Sequence, residues 1–271
     1  MRPLLRAAVA ALAAWMAVGT ALAGPVLERV VASGIMTMAS DPDFPPQSFL
    51  NDDQEMVGFD VSVGRELARR LGVELRIVTP SRKALTAGNW GDDWDVSVGS
   101  MTPTSERMQV LDFPAVYYWA PAVFAVPAGS SIEDPHSLAG KIIGVCEGCT
   151  YQAYLEGKVA FDPAFGPRPA YRLARPDIRT FPGDRQALAA LGRPLDAVMG
   201  TLPALEQAIR EGHALRILSP PAFLEPLAIA IDKGDPLFAA RLADLVRGMR
   251  RDGTLAQLSQ QWLGADLTQH P

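Results

Sequence analysis

Strand and helix signals alternate near the start of the chain. Residues 34–40 form an apolar run that predicts a buried strand, and residues 74–78 predict the next one. Between them, four apolar residues recur at helical spacing: Phe59, Val63, Leu67 and Leu71. Gly72 follows and is expected to end this helix. A strand, a helix and a strand joined by short connections predict a βαβ unit, and therefore a parallel sheet within an α/β fold.

Two segments rich in turn residues follow the predicted strand ends. One is the Pro-rich stretch over residues 41–49, and the other is the small-residue turn over 99–107, which follows a strand predicted over 96–98. Ligands of open α/β sheets bind at the carboxyl ends of the strands. We therefore expect both segments to face the same crevice.

Residues 95–107 carry groups suited to an anion. Thr102, Pro103 and Thr104 are typical of a helix entrance, where backbone N–H groups are free. Together with these N–H groups and hydroxyls, the guanidinium of Arg107 makes a good carboxylate site. An ordinary capped turn with a surface arginine fits these residues equally well.

The first 23 residues have the features of a signal peptide. Arg2 and Arg6 precede an apolar run over residues 7–18, and Ala21-Leu22-Ala23 is a small-residue cleavage site before Gly24. This cleavage site favours removal of the segment over the alternative, an uncleaved membrane anchor. No cysteine comes directly after it, so we expect a periplasmic protein without a lipid anchor.

The charge of the chain argues against two classes of partner. Two of the 25 basic residues and none of the 30 acidic residues lie in the predicted signal peptide, so the mature net charge is −7. A chain of this charge is poorly suited to nucleic acid or to an anionic membrane surface. A hydrophobic content of 48% with 20% charged residues is typical of a compact globular protein.

The chain has two cysteines, Cys146 and Cys149, in a C-x-x-C arrangement. In an exported protein this pattern favours a local disulfide, although a redox-active pair and free thiols remain open alternatives. A zinc site is not expected, because two cysteines and the scattered His136, His213 and His270 do not complete a tetrahedral ligand set. We expect no metal and no cofactor.

Six segments together carry a resemblance to one family: residues 40–46, 57–67, 94–107, 111–118, 138–145 and 249–255. With these motifs the chain resembles the family 3 periplasmic solute-binding proteins, which feed polar amino acids to ABC transporters. The resemblance covers nearly all of the mature chain in the order that the family shows.

The resemblance implies a two-lobed periplasmic binding protein fold of type II, in which each lobe is a mainly parallel sheet flanked by helices. Two crossovers would form a hinge, so that the lobes close on a ligand. The implied organisation is a signal peptide over 1–23, lobe 1 over 24–118 plus 228–271, and lobe 2 over 119–227. Residues 227–231 are expected to form the returning strand, Pro236 to begin a helix, and residues 134–138 to begin another in lobe 2.

The resemblance also implies a ligand site. In the family, an arginine at the position of Arg107 clamps the α-carboxylate of the ligand. The groups that assist this arginine match Gly99, Ser100 and Thr102 in lobe 1 and Thr150 in lobe 2.

The resemblance assigns two further residues to the cleft. Phe44 matches an aromatic residue that packs on the ligand side chain, and Asp41 matches an acid that lines the cleft. Phe44 as a core residue and Asp41 as a loop cap remain alternatives.

The chain departs from the family pattern at two positions. Thr201 stands where an aspartate of the family takes the α-ammonium of the ligand, and a hydroxyl does not neutralise an ammonium. Either Glu225 or Glu147 replaces the aspartate, or the ligand lacks a free α-amine. Arg82 stands where the family has an aromatic platform, and it is either a surface residue or a cleft residue that favours a second acidic group on the ligand.

The resemblance predicts a function and leaves two others open. We expect the periplasmic substrate-binding component of an ABC importer, a monomer that captures a small carboxylate-bearing solute such as a polar amino acid and delivers it to a permease in the inner membrane. The first alternative is an enzyme on the same fold, similar to cyclohexadienyl dehydratase. The second is a ligand-sensing partner of a membrane receptor.

Overall fold

The structure is a computed structural model that describes residues 24–161, 164–165, 169 and 173–269. The predicted signal peptide over residues 1–23 and His270 lie outside the described residues. The strands are β1 Ile35–Ala39, β2 Asp43–Phe44, β3 Ser48–Leu50, β4 Met56–Val57, β5 Glu74–Val78, β6 Val96–Met101, β7 Leu111–Pro127, β8 Ile142–Cys146, β9 Asp177–Phe181, β10 Ala197–Thr201, β11 Leu215–Ile217 and β12 Phe223–Asp232. The α-helices are α1 Pro25–Ser33, α2 Phe59–Leu71, α3 Arg82–Ala87, α4 Thr150–Leu155, α5 Asp184–Ala189, α6 Leu202–Arg210, α7 Pro236–Arg251 and α8 Thr254–Leu263.

The βαβ unit predicted near the start of the chain is present. β1 pairs in parallel with β5 and with β6, and α2 connects the region to β5. Phe59, Val63 and Leu67 of α2 are buried against the sheet, as their spacing predicts. Gly72 ends α2 in a left-handed conformation with φ of 76°, which a residue without a side chain adopts without strain. The local pattern therefore predicts both the parallel pairing and the end of the helix.

Two long antiparallel strands join the two halves of the main sheet. β7 and β12 pair with each other from Asp232 opposite Leu111 to Phe223 opposite Ala122. At one side β12 pairs with β6, and at the other side β7 pairs with β10 and β11. The order across the described sheet is β5-β1-β6-β12-β7-β10-β8-β9. These strands are the two crossovers, and the two-lobed α/β fold predicted from the sequence is confirmed.

Each half of the sheet has its own hydrophobic core. On the first half, α2, α7 and α8 bury their apolar faces, with Leu242, Val246 and Met249 of α7 fully enclosed. On the second half, a separate cluster includes Phe124, Ile143 and other residues of β7, β8 and α4. The predicted lobe boundaries, at 118/119 and 227/228, fall within the continuous strands β7 and β12, and we keep them as a proposal.

Two segments expected to begin helices instead form single 3₁₀ turns, Arg107–Gln109 and Pro135–Leu138. After Thr102, the backbone is engaged across the cleft: Thr104 pairs with Phe161, and the Ser105 amide donates to the Ala160 carbonyl at 2.8 Å. The groups that would start a helix are therefore already bonded. Asp134 caps its turn as expected from the sequence, but strand β8 begins only a few residues later.

The described helices include none with the length and apolar character that crossing a membrane requires. The described residues also bring together no cluster of three or more His, Cys, Asp or Glu side chains suited to a metal ion.

Candidate functional site

A cavity of about 480 Å³ lies between the two lobes. Its first wall comes from the segment after β1 and from the end of β6, the two segments that were expected to face one crevice. The opposite wall comes from the turn before α4, the start of α5 and the crossover strand β12. The predicted site residues that line the cavity are Asp41, Phe44, Arg82, Gly99, Ser100, Thr102, Arg107 and Thr150.

Arg107 reaches across the cleft from lobe 1 and is half-buried. One terminal nitrogen donates to the Thr102 carbonyl at 3.1 Å and to Thr150 Oγ1 at 3.4 Å, and the other donates to the Gly148 carbonyl at 3.2 Å. These acceptors are all neutral. Burial, with the nearby positive charge of Arg82, lowers the pKa of Arg107 to about 10, so the side chain stays charged at neutral pH. The site therefore holds a fixed cation that a ligand carboxylate would neutralise.

A chain of hydroxyls connects Arg107 to the buried carboxylate of Glu225. Thr102 donates to Glu225 Oε1, and Thr102 Oγ1 lies 2.7 Å from Thr150 Oγ1. Because the proton of Thr102 is directed to Glu225, Thr150 donates to Thr102. Tyr151 donates to the second oxygen of Glu225 at 2.7 Å. Burial raises the pKa of Glu225, and the hydrogen bonds and the charge of Arg107 oppose this rise.

Arg82 lies in the cavity wall and is not a freely solvated surface residue. It is the first residue of α3, after the capping Ser81, and its guanidinium lies 3.2 Å from Asp41 Oδ2. Both side chains are about one-third exposed, at 32% and 31%. The two residues therefore form an ion pair at the edge of the cavity, in which the charge of Arg82 already has a partner.

Comparison with known proteins agrees with this fold and cavity. The model of the bacterial extracellular solute-binding proteins, family 3, matches residues 36–265. The chain belongs to this family.

Two relatives illustrate the family membership. The chain is 28% identical over 263 residues to the L-cystine-binding protein TcyJ of Escherichia coli, covering 95% of this chain and 93% of the relative. It is 27% identical over 235 residues to an L-arginine-binding protein of Pseudomonas aeruginosa, covering 83% and 86%.

Solved structures show the same fold. A mutant of ArgBP from T. maritima superimposes with a TM-score of 0.75 at 26% identity, over 88% of this chain and 99% of that one. The ancestral amino acid-binding protein AncCDT-1, a precursor of cyclohexadienyl dehydratase, gives a TM-score of 0.77 at 24% identity, over 88% and 99%, and shows the fold alone. The family and the type II fold expected from the sequence are confirmed.

In this solute-binding protein, Thr201 does not line the cavity. Its hydroxyl accepts hydrogen bonds from Gln47 Nε2 at 3.1 Å and from the Ala204 amide at 3.3 Å, where it caps α6. Of the two acids considered as replacements for the family aspartate, Glu225 lines the cavity, whereas Glu147 is exposed and does not. The structure therefore brings together Arg107 and Glu225 and leaves Thr201 outside.

Phe44 contributes to two adjoining cavities of the solute-binding protein. It lines the main cavity and also a smaller one of about 260 Å³, which is mostly apolar and lies against β10, α5 and α6. Its side chain is half-buried and is not part of the hydrophobic core. The position is consistent with an aromatic surface that packs on a ligand.

Sequence reasoning missed Asp184, which lines both cavities. Burial raises its pKa to about 6, an effect that the charge of Arg82 opposes. Asp184 begins α5 directly after Pro182 and Gly183, at the carboxyl end of the parallel strand β9. An acidic residue that follows Pro and Gly at the carboxyl end of a parallel strand is the sequence signal that would have identified Asp184.

Sequence reasoning also missed a buried polar cluster behind Ser100. It consists of Asp60, Tyr117 and Tyr118, all fully buried, with Ser100 at the cavity wall. Asp60 lies among apolar residues at the start of α2, so its position in the sequence suggested only a helix beginning. The partners come from β6 and β7, which are distant from it in the chain, and the sequence contains no signal for that proximity.

Cys146 and Cys149 form a disulfide, as favoured from the sequence. Both residues are buried and line the cavity, and Cys149 precedes the first residue of α4. The bridge closes the turn that presents the Gly148 carbonyl and the Thr150 hydroxyl to Arg107. The cross-link therefore lies in the wall of the ligand cavity.

Proposed function

We propose that this protein captures an amino acid with a free α-ammonium and a free α-carboxylate in the periplasm. The observation that carries the proposal is that two opposite charges line one cavity between the lobes. The guanidinium of Arg107 is held only by neutral acceptors, and Glu225 is a buried carboxylate. A zwitterionic ligand supplies the counter-charge for both. Relatives named for binding L-cystine and L-arginine support an amino acid as the ligand class.

The remaining charges of the cavity support a polar side chain on the ligand. Arg82 and Asp41 already form an ion pair, so the ligand needs no second acidic group to satisfy Arg82. Asp184 has no ion-pair partner among the described residues and offers an acceptor for hydrogen-bond donors. A volume of about 480 Å³ lies within the range usual for small-molecule sites.

Contacts between the lobes support a mechanism of closure around the ligand. Gln47 Nε2 donates to Thr201 at 3.1 Å, and Arg185 lies 3.0 Å from Asp43. These contacts define a closed form with the cavity between the lobes. A ligand favours this form only to the extent that it binds the closed form better than the open one, and bridging Arg107 and Glu225 provides that difference.

The wider role proposed here follows the family. The chain would be exported through cleavage of residues 1–23, remain in the periplasm as a monomer without a lipid anchor, and deliver its ligand to an ABC permease in the inner membrane. We propose binding without turnover. Recovery of unchanged ligand after prolonged incubation, followed by NMR, tests this point, whereas conversion of a cyclic carboxylate such as prephenate would favour the dehydratase alternative.

The test of the proposed ligand class is a binding screen of the mature protein. Amino acids, their N-acylated and deaminated analogues, and dicarboxylates are compared by thermal shift and then by calorimetry, because a ligand at a hundredfold its Kd adds about 2.7 kcal/mol of stability. We expect binding of one or more free amino acids. Binding of amine-free acids alone, or of no amino acid, would contradict the proposal.

Glu225→Gln tests the proposed role of the buried acid. The substitution keeps the shape and removes the charge, so we expect the affinity for the amino acid to fall about 10-fold, the usual cost of losing a hydrogen bond to a charged group. The exposed Glu147→Gln is the matched control and should leave the affinity unchanged. Equal behaviour of the two variants would remove Glu225 from the site.

A further inference from the structure

Asp60 is a fully buried acid that sits directly behind the cavity wall. Tyr117 donates to its Oδ1 at 2.6 Å, and Ser100 Oγ donates to its Oδ2 at 2.8 Å. Asp60 forms no ion pair with a cation of the described residues. Its negative charge is therefore stabilised by hydroxyl groups and by the N-terminal end of α2, in whose first turn it lies, and not by a cation.

The direction of each hydrogen bond around Ser100 follows from the number of protons. Ser100 Oγ has a single proton, and it is used on Asp60. Tyr118 OH lies 2.6 Å from Ser100 Oγ, so Tyr118 has to be the donor in that pair. Tyr117 uses its own proton on Asp60 and accepts from the Ser100 amide at 2.9 Å. Tyr117 OH also lies 3.4 Å from Ser100 Oγ, but its proton is already used on Asp60. Ser100 Oγ therefore has no proton to offer the cavity, only a lone pair.

The backbone of Ser100 is held in an uncommon conformation. Its φ is 51°, in the left-handed region, which a residue other than glycine seldom adopts. The bonds from its amide to Tyr117 and from its hydroxyl to Asp60 hold it there. Residues that hydrogen bonds hold in a strained backbone conformation cluster at ligand sites. Ser100 lies in the cavity wall.

We infer that Asp60 is a positioning residue that turns Ser100 Oγ into a hydrogen-bond acceptor facing the cavity, and thereby selects the ammonium of the ligand. This role differs from the one that the family resemblance implies for Ser100, which is to assist in binding the carboxylate. A hydroxyl whose proton is committed to Asp60 has none to donate to a carboxylate. The inference rests on the proposed function, because it requires that an amine-bearing ligand enters this cavity.

The charge of Asp60 adds to the effect of hydrogen-bond direction. The carboxylate is one side chain away from the cavity in a region closed to water, where electrostatic interactions are stronger than in solvent. An ammonium bonded to Ser100 would be stabilised by this charge. Thr201, at the position of the family aspartate, lies outside the cavity. Asp60 behind the wall is a second acid besides Glu225, and it accounts for recognition of an amine without that aspartate.

The experiment measures selectivity for the amine. Wild type and Asp60→Asn are titrated with each amino acid that the wild type binds and with its deaminated acid, beginning with L-cystine against dithiodipropionate and L-glutamine against glutaramate. Asparagine keeps the shape of Asp60 and removes its charge. We expect the ratio of the two association constants, amine-bearing over amine-free, to fall about 10-fold in the variant.

A matched control separates this role from a structural one. Asp235 is also a buried carboxylate, at 2% exposure, and it accepts hydrogen bonds from the Val26 and Phe238 amides away from the cavity. Asp235→Asn should lower the melting temperature without changing the ratio. If Asp60→Asn does not fold, Ser100→Ala removes the acceptor while leaving Asp60 in place, and the ratio should fall there too.

The pH profile provides a second readout. Burial raises the pKa of Asp60 to about 6, with the hydrogen bonds from Tyr117 and Ser100 opposing this rise and Asp41 adding to it. Below that pH the protonated acid no longer requires the proton of Ser100, so the wild-type ratio should fall as the pH drops through about 6. Asp184 and Glu225 also have raised pKa values in this cavity, and both are unchanged in Asp60→Asn. The part of the pH dependence that disappears in this variant is therefore the part that Asp60 contributes.

The outcomes are distinct. A ratio that is unchanged in Asp60→Asn, or a pH step that is as large in that variant as in the wild type, overturns the inference and leaves the proposed function intact. Equal losses for the amine-bearing and amine-free ligands would also overturn it, because they indicate a structural role. If the wild type binds no amino acid, the proposed function itself fails and the inference fails with it.

Discussion

Thr102 Oγ1 in lobe 1 and Thr150 Oγ1 in lobe 2 lie 2.7 Å apart across the ligand cleft. Both side chains are buried, and the pair connects Arg107 to Glu225. In the closure mechanism proposed above, this hydrogen bond forms only when the lobes close, because its two partners belong to opposite walls. It therefore contributes to the free energy of closure and, through closure, to ligand affinity.

Thr150→Val tests this contribution. Valine keeps the shape of the side chain and removes the hydroxyl, so Thr102 and Arg107 each lose one hydrogen bond. We expect about 1 kcal/mol less binding free energy, or roughly 5-fold weaker binding in calorimetry. Thr180→Val, at an exposed position of β9, is the control and should bind as the wild type does. Unchanged affinity in Thr150→Val would show that the hydroxyl contact does not stabilise the closed form.

Arg107→Ala should abolish most of the ligand affinity. The guanidinium is the cation of the cavity that is held only by neutral acceptors, so its removal leaves the ligand carboxylate buried without a partner. We expect a loss of about 2 to 5 kcal/mol, or roughly 30-fold and more, with the circular dichroism spectrum and melting temperature of the free protein preserved.

The control for this substitution is Arg247→Ala. Arg247 is 57% exposed and pairs with Asp244 within the same helix, away from the cavity. The Arg247→Ala substitution removes the same charge from the molecule as Arg107→Ala does, so any general effect of net charge on binding appears in both variants. Near-native affinity in Arg107→Ala would be inconsistent with the site described above.

The disulfide is expected to stabilise both the fold and the ligand cavity. A bridge between Cys146 and Cys149 closes a short loop, for which the chain-entropy model gives about 2 kcal/mol, and replacing both cysteines with serine should lower the free energy of unfolding by that amount. Because the bridged turn presents Gly148 and Thr150 to Arg107, ligand affinity should also fall several-fold. Urea unfolding and calorimetry, with a ligand that contains no disulfide, measure the two effects.

A reducing agent provides the control for the disulfide. It should weaken binding by the wild type and leave the double serine variant unaffected. If the variant loses stability but binds with full affinity, the bridge supports the fold without organising the cavity.

Glu66 is expected to stabilise lobe 1 in a pH-dependent manner. Its carboxylate lies 2.7 Å from Arg69 and 2.6 Å from Arg70, and the hydrogen bond from Arg69 is the main reason that its pKa falls from 4.5 to about 2. Because the pKa of Glu66 is lower in the folded protein, its contribution to stability is fully present above pH 4.5, the pKa in the unfolded chain. This contribution is lost as the pH falls towards 2. Because Arg69 is 69% exposed and screened by water, Glu66→Gln should cost only about 1 kcal/mol at neutral pH.

Urea unfolding of the wild type and Glu66→Gln at about pH 7 and about pH 3 measures this dependence. The difference between the two proteins should shrink at the lower pH. Glu74→Gln, at an exposed position of β5, is the control. If the difference in unfolding free energy between the two proteins stays constant over this range, the ion pairs of Glu66 are not its cause.

The local sequence patterns predicted the elements on which the fold is built. The spacing of Phe59, Val63 and Leu67 predicted α2 and its buried face, and the apolar run before the Asp41 segment predicted β1. These predictions succeed because periodicity reports which face of an element is buried, and burial of that face dominates its stability. The predictions of a helix after Thr102 and of another after Asp134 were wrong. A cap residue marks where a helix can begin, but it does not show whether the backbone groups beyond it are available for helical hydrogen bonds.

The sequence by itself determined the family, the two-lobed fold and eight of the residues that line the cavity, because these depend on short-range patterns and on motifs that occur in a fixed order. Only the tertiary structure decided the charge pattern of the cavity. It placed Glu225 beside Thr102 and Tyr151, directed Thr201 to Gln47, and buried Asp60 behind Ser100. These partners are 40 to 154 residues apart in the chain. The protonation and hydrogen-bond direction of such groups depend on burial and on neighbours that the folded sheet brings together, and no local pattern encodes them.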